Sequence, residues 1–177
     1  LGYINTAGNN FAAIVIGDSV NGTGAMSYKP GLTVSFGSSL TLQQKSTGDG
    51  ITISNSITTS GSQTYTGAVT LGADTTLTAT TVTFNDTVTG AYALTITGNA
   101  VFGNGTADTV TLSGSAKALS VSGTSTINAN ITTSGTQGYT GAATLGAGVN
   151  LTTTNNNLSF GSTLDSATSA RALTIST

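Results

Sequence analysis

Along this chain apolar side chains recur at every second position, in runs only three to five residues long. Ile51/Ile53, Val82/Phe84, Leu94/Ile96, Val110/Leu112, Leu119/Val121 and Leu173/Ile175 each flank a Thr or Ser. A period of two belongs to a strand with one buried face and one wet face. Gly, Asn and Asp punctuate the runs, at Gly72-Ala73-Asp74, Asn85-Asp86, Gly98-Asn99 and Gly103-Asn104-Gly105. These residues favour turns for backbone reasons. The pattern predicts short strands joined by tight turns, and no helix.

A longer rhythm overlies the short one. ITTSGSQTYTGAVTLGADTTLT (Ile57 to Thr78) returns as ITTSGTQGYTGAATLGAGVNLT (Ile131 to Thr152), with sixteen of twenty-two positions identical. SFGSSL at Ser35 to Leu40 matches SFGSTL at Ser159 to Leu164, and AAIVIGD (Ala12 to Asp18) resembles GAVTLGAD (Gly67 to Asp74). Within the long unit, Tyr65, Phe84, Phe102, Val121 and Tyr139 follow one another at near-constant intervals. That cycle, roughly 18–20 residues, is one coil of a parallel β-helix. The chain therefore reads as one all-β domain over residues 1–177, a β-solenoid of about nine coils. Residues 1–56 form a degenerate repeat, 57–130 a full one and 131–177 a partial one, with four coils to the full repeat. A right-handed coil is expected from the general preference of parallel crossovers. The expected core is Val69, Leu71, Leu77, Val82, Phe84, Leu94, Ile96, Phe102, Val110, Leu112, Leu119, Val121, Ile127, Tyr139, Leu145, Leu151, Phe160, Leu173 and Ile175. The alternative is a tandem of antiparallel β-sandwich modules, with Asn21-Gly22 and Asn104-Gly105 as hairpin turns.

Composition fits the solenoid. Of 177 residues, 38 are Thr, 21 Ser and 24 Gly, while only ten are charged and no Glu, His or Cys occurs. In a parallel coil each side chain stacks on its counterpart one strand spacing away. Like charges there repel, whereas Thr, Ser and Asn can hydrogen-bond along the column. A net charge of −2, with Lys29, Lys45, Lys117 and Arg171 scattered, makes no basic patch for nucleic acid. The apolar run Phe11 to Ile16 is too short to span a bilayer, and no signal peptide is visible.

TSGSQTYTGAVTLGADTTLT followed by TVTFNDTVTGAYALTIT resembles the repeats of large bacterial surface proteins of the filamentous-haemagglutinin and autotransporter type. The resemblance covers Ile57 to Thr177 well and Leu1 to Ser56 weakly. It implies a right-handed parallel β-helix in an extracellular or cell-surface adhesin, and it brings no catalytic residue.

The chemistry on offer is narrow. Without His or Cys the familiar catalytic triads cannot be assembled, so no enzymatic activity is expected. No catalytic, cofactor-binding or metal residue is assigned, and no cofactor is expected. Asp18, Asp49, Asp74, Asp86, Asp108 and Asp165 all lie in turn-like settings. Their expected role is to anchor turns; Asp74 and Asp86 are the pair considered for a shared ion. Tyr65 and Tyr139, at matching positions, are expected to be core or coil-edge aromatics with the hydroxyl at the rim; exposed sugar-stacking platforms are the alternative. Thr-x-Thr triplets at Thr64/Thr66, Thr76/Thr78, Thr81/Thr83, Thr87/Thr89, Thr95/Thr97, Thr109/Thr111 and Thr124/Thr126 raise ice binding, although their spacing does not keep phase with the coil cycle. The function expected is a structural or adhesive rod. It would associate end to end or continue in a longer chain, and its ligand would be a surface glycan or host-cell component. A carbohydrate-active solenoid is a further alternative. Neither nucleic acid nor membrane insertion is expected.

Overall fold

The computed structural model describes residues 13–18, 26–28, 34–44 and 50–177. Among them the secondary structure is all strand, and every strand pairing is parallel. The expected β-solenoid is therefore the fold, and the antiparallel sandwich is excluded for these residues. Asn104-Gly105 lies in a loop between two parallel strands rather than in a hairpin, and Asn21-Gly22 falls outside the described residues.

Each turn of the solenoid has three sides. The first face stacks Ala13–Asp18, Ser39–Gln44, Gln63–Thr66, the end of Thr75–Phe84, the end of Leu94–Phe102, Ser125–Ile127, Ala143–Leu145 and Leu164–Ser166. The second stacks Met26–Tyr28, Ile51–Ile53, Val69–Leu71, Val88–Gly90, Thr109–Leu112, Asn130–Thr133, Val149–Thr153 and Leu173–Ser176. The third stacks Val34–Phe36, Ile57–Thr59, the start of Thr75–Phe84, the start of Leu94–Phe102, Leu119–Val121, Gln137–Tyr139 and Leu158–Phe160. The chain visits the faces in the order first, second, third. Thr75–Phe84 and Leu94–Phe102 are long enough to bend round the corner from the third face to the first.

Six successive turns run from Leu40 through Gln63, Val82, Ala100, Ser125 and Ala143 to Leu164, and one more reaches back to Ile14. This is fewer than the nine coils expected, because the turns are unequal. Gln63 to Val82, Val82 to Ala100 and Ser125 to Ala143 keep the short cycle read from the sequence. Leu40 to Gln63, Ala100 to Ser125 and Ala143 to Leu164 are longer. Ala100 to Ser125 carries two extended corner loops, after Phe102 and after Leu112. Loops of unequal length leave the strands beneath them in line, because only the strand-to-strand hydrogen bonds set the stacking.

The aromatic rhythm changes meaning in three dimensions. Tyr65, Phe84 and Phe102 stack in one inward column of the first face, with ring centroids 5.1 and 6.1 Å apart. That column then continues through Ile127 and Leu145. Val121, Tyr139 and Phe160 belong to the third face, where the rings of Tyr139 and Phe160 lie 5.3 Å apart. One apparent series is thus two columns on two sides of the core. The long repeat slips likewise. Ile57 sits on the third face but Ile131 on the second; Tyr65 on the first but Tyr139 on the third. The unit is eleven strand segments, three turns plus two faces, and not the four whole coils expected.

Alternation between buried and outward positions holds along the strands and breaks at the corner bends of Thr75–Phe84 and Leu94–Phe102. Leu77, Val82, Leu94, Ile96, Phe102, Val121, Ile127 and Leu151 are completely buried. Of the expected core only Phe160, Leu173 and Ile175 retain substantial exposure, Ile175 at 48%. They belong to the last rung described.

At the corner between the third and first faces, backbone packs directly on backbone. The Gly123 N–H donates to Gly98 O (2.9 Å) and the Gly141 N–H to Gly123 O (3.2 Å). A Cβ on Gly123 would lie 2.6 Å from that same Gly98 oxygen, inside contact distance. Gly123→Ala is expected to cost about 1–3 kcal/mol by overpacking. Gly105→Ala, with nothing within 4 Å of its Cβ, should stay within about 0.5 kcal/mol of the parent. Thermal or urea melts of the two variants check this; equal melts would contradict the corner stack.

Candidate functional surfaces

The repeated phrase builds one internal device twice. Tyr65 is fully buried and its hydroxyl donates to Gln63 Oε1 at 2.8 Å; Tyr139 donates to Gln137 Oε1 at 3.1 Å. Each Gln amide then donates to two backbone carbonyls. Gln63 Nε2 reaches Ile57 O (3.0 Å) in its own turn and Thr78 O (3.0 Å) in the next. Gln137 Nε2 reaches Ile131 O (3.2 Å) and Thr152 O (2.7 Å), the matching positions of the second copy. A neighbouring Thr closes the motif, Thr59 Oγ1 donating to Gly61 O and Thr133 Oγ1 to Gly135 O. Burial pushes both Tyr hydroxyls far above their ordinary pKa, so they stay neutral donors. The sequence reading places these hydroxyls at the rim; they lie inside instead, because a Gln two residues earlier supplies the acceptor that a buried phenol needs. Neither ring can serve as a sugar platform. Sequence reasoning misses Gln63 and Gln137, although the shared Gln-x-Tyr of the two copies is the signal that marks them.

The aspartates whose side chains are described act on backbone. Asp86 Oδ1 accepts the Thr87 N–H (2.7 Å), Asp108 Oδ2 accepts those of Asn104 (2.8 Å) and Gly105 (3.2 Å), and Asp165 Oδ1 accepts that of Ser166 (2.7 Å). For Asp86 and Asp108 this is the turn-anchoring role expected; Asp165 lies within the strand Leu164–Ser166 instead, so the turn setting expected of it does not hold. Asp49 lies outside the described residues, and Asp18 ends a strand rather than a turn. Asp74 clips three rungs together. Its Oδ1 accepts the Ala93 N–H of the next rung (2.8 Å) and Lys117 Nζ of the rung after (3.1 Å), and that ammonium also lies 5.8 Å from the centre of the Tyr92 ring. The Ala93 N–H, and then the Lys117 ammonium, hold the Asp74 carboxyl below the usual carboxylate range.

Asp74 and Asp86 occupy different corners, so they do not form the pair considered for an ion. Asp86 instead shares a cleft of about 360 Å³ with Asp108, lined also by Gln44, Thr66, Asn85 and Asn104. An amide ladder climbs beside it: Asn85 Nδ2 donates to Thr66 Oγ1 (3.4 Å), Asn104 Nδ2 to Asn85 O (3.0 Å) and Asn128 Nδ2 to Gly103 O (2.9 Å). The cleft holds two carboxylates already committed to turn N–H groups and no aromatic wall. Among the described residues no three acidic side chains come together to hold a metal, and no helix is long and apolar enough to cross a membrane.

The Thr-x-Thr triplets distribute over all three faces. Thr64/Thr66 and Thr81/Thr83 lie on the first, Thr76/Thr78 and Thr95/Thr97 on the third, Thr87/Thr89 and Thr109/Thr111 on the second. Stacking nonetheless assembles one continuous outward column on the second face: Thr52, Thr70, Thr89, Thr111, Thr132 and Thr152. Uneven spacing along the chain hides this column from the sequence, since loops of different length separate its members.

Comparison of the chain with protein-family models, with curated proteins and with solved structures gives no match.

Replacing Gln63 or Gln137 by Met removes the acceptor of a buried phenol and the donor to two buried carbonyls. Each change is expected to cost about 1–3 kcal/mol, the two by similar amounts although they sit on different faces; chemical denaturation of both variants checks this. The lowered pKa of Asp74 means that its clip stabilises the fold above the ordinary Asp value and is lost as pH falls through the lower folded value. A carboxyl-carbon NMR titration should place Asp74 below the ordinary aspartate value. Lys117→Met should raise it only partway, because the Ala93 N–H remains.

Proposed function

We propose that this chain is a non-enzymatic, rod-forming segment of an extracellular bacterial surface fibre or adhesin. The observation that carries the reading is the continuity of its core. Inward columns such as Leu42, Tyr65, Phe84, Phe102, Ile127 and Leu145 pass from rung to rung without a charged residue. Every turn repeats the same strand-on-strand contact, so stiffness along the axis comes from the whole length rather than from one site. The described acidic side chains are spent on nearby backbone N–H groups and one clip, and the buried Tyr–Gln pairs tie consecutive rungs. The likeness of Ile57 to Thr177 to adhesin repeats points the same way.

In this reading the last rung is a joint. Leu164 and Ile175 point along inward columns yet are 38% and 48% exposed. A further rung laid on Leu158–Phe160, Leu164–Ser166 and Leu173–Ser176 would bury them. We propose that another copy stacked head to tail can supply it, as sheet edges recruit strands.

Seven strand spacings give the described part a length of roughly 34 Å. Electron microscopy of the native material that carries this sequence should therefore show thin stiff fibres far longer than one segment, and fibre diffraction an axial repeat of about 4.8 Å. Compact particles that turn over a polysaccharide would overturn the reading.

A further inference from the structure

The Thr column of the second face is part of a two-dimensional array. Beside this column, two residues earlier along each strand, the first two rungs carry Gly50 and Ala68, and the next four carry Thr87, Thr109, Asn130 and Asn150, followed by Thr174 beside Ser176. Rungs repeat at about 4.8 Å, and alternate residues of a strand at about 6.6 Å. This face is an eight-stranded sheet whose pairings run without a shift, whereas the sheet of the other two faces slips between Thr97 and Asn99. Among the described residues no other face carries a comparable column. The first interrupts its Thr residues with Val101 and ends on Asp165, and the third runs Thr76, Thr95, Ser120, Gly138, Ser159.

Within its own strands and the residues just after them the array is small and neutral. Residues 50–54, 68–72, 87–91, 109–113, 130–134 and 149–154 contain no charged and no aromatic side chain. The Thr residues are half-buried or exposed, so their methyl and hydroxyl groups meet solvent. A β-branched side chain is stiff at χ1, which fixes both groups at lattice positions before any ligand arrives.

Such a surface suits a ligand that is itself a periodic, uncharged lattice of hydroxyl oxygens. We propose that the second face binds ice. The rung spacing lies close to one repeat of the oxygen lattice on the prism plane of ice, and the in-strand spacing falls somewhat short of the other. Water ordered between the methyls and bonded to the Thr hydroxyls can merge with that lattice; the nearest charges, Asp86 and Asp108, stand at the edge of the array, one residue before Thr87 and Thr109, with their carboxylates turned to loop N–H groups. A crystalline polysaccharide fits less well, because flat sugar chains are gripped by rows of aromatic rings and this face has none. The inference is independent of the rod-forming role, which would survive without it.

The test measures thermal hysteresis and inhibition of ice recrystallisation by the intact chain. The variants are Thr111→Lys and Thr132→Lys at the centre of the array, with Thr64→Lys and Thr144→Lys on the first face as controls. The proposal expects hysteresis in the parent and the controls, and loss of most of it in the array variants at unchanged circular dichroism and melting temperature. Should either array variant fail to fold, Thr111→Ser, which removes only a methyl group, is expected to reduce hysteresis measurably. The proposal is overturned by a parent without hysteresis, by array variants as active as the controls, or by adsorption to cellulose or chitin with no effect on ice growth.

Discussion

Each rung of this molecule is satisfied by the rungs on either side of it. Backbone donors reach carbonyls about one turn away, as in Ile51 N–H to Ala68 O and Val69 N–H to Thr87 O, both at 2.8 Å. Parallel pairing without offset also sets each side chain on its counterpart. That single constraint accounts for the composition. A position must tolerate its own kind, or something of similar size and no charge, about 4.8 Å above and below. Inside, this yields stacks of Val, Leu, Ile and parallel aromatic rings; outside, it yields Thr, Ser and Asn. Where charge is admitted, as at Asp74 and Lys117, opposite signs two rungs apart face each other across a corner.

The placement of the repeated phrase shows what the structural unit is. Two near-identical segments with the same Tyr–Gln–carbonyl bonding lie on different sides of the solenoid. This works only if the faces are close to equivalent as environments, so that a strand and its following turn can be set down on any of them. Repetition here proceeds by strand rather than by whole turn, and corner loops absorb the remainder.

Strands and parallel stacking are legible in the sequence because alternation and the want of charge are local statements, and each rung obeys them. The number of turns is not. The steady spacing of Tyr65, Phe84, Phe102, Val121 and Tyr139 joins two columns, since the longer loops between Phe102 and Leu119 carry the chain out of phase. The same loops conceal the Thr column of the second face. Gln63 and Gln137 escape because a polar residue at an inward position reads as a flaw in the pattern until the phenol two residues away is seen to need it. The turn role of Asp86 and Asp108 is readable, as it depends on nearby residues alone. The Asp74 clip is not, since Lys117 lies 43 residues away.

The most direct test of parallel in-line stacking uses the absence of cysteine from the chain. Cysteines placed at Thr132 and Thr152, outward neighbours one rung apart, can be labelled selectively with nitroxides. The account predicts strong dipolar broadening of the electron paramagnetic resonance spectrum, from label sites about 5 Å apart at the backbone. A pair at Thr132 and Thr144, on different faces, should show much less. A Thr132/Thr152 spectrum as narrow as the sum of the singly labelled chains, with the fold intact, would contradict it.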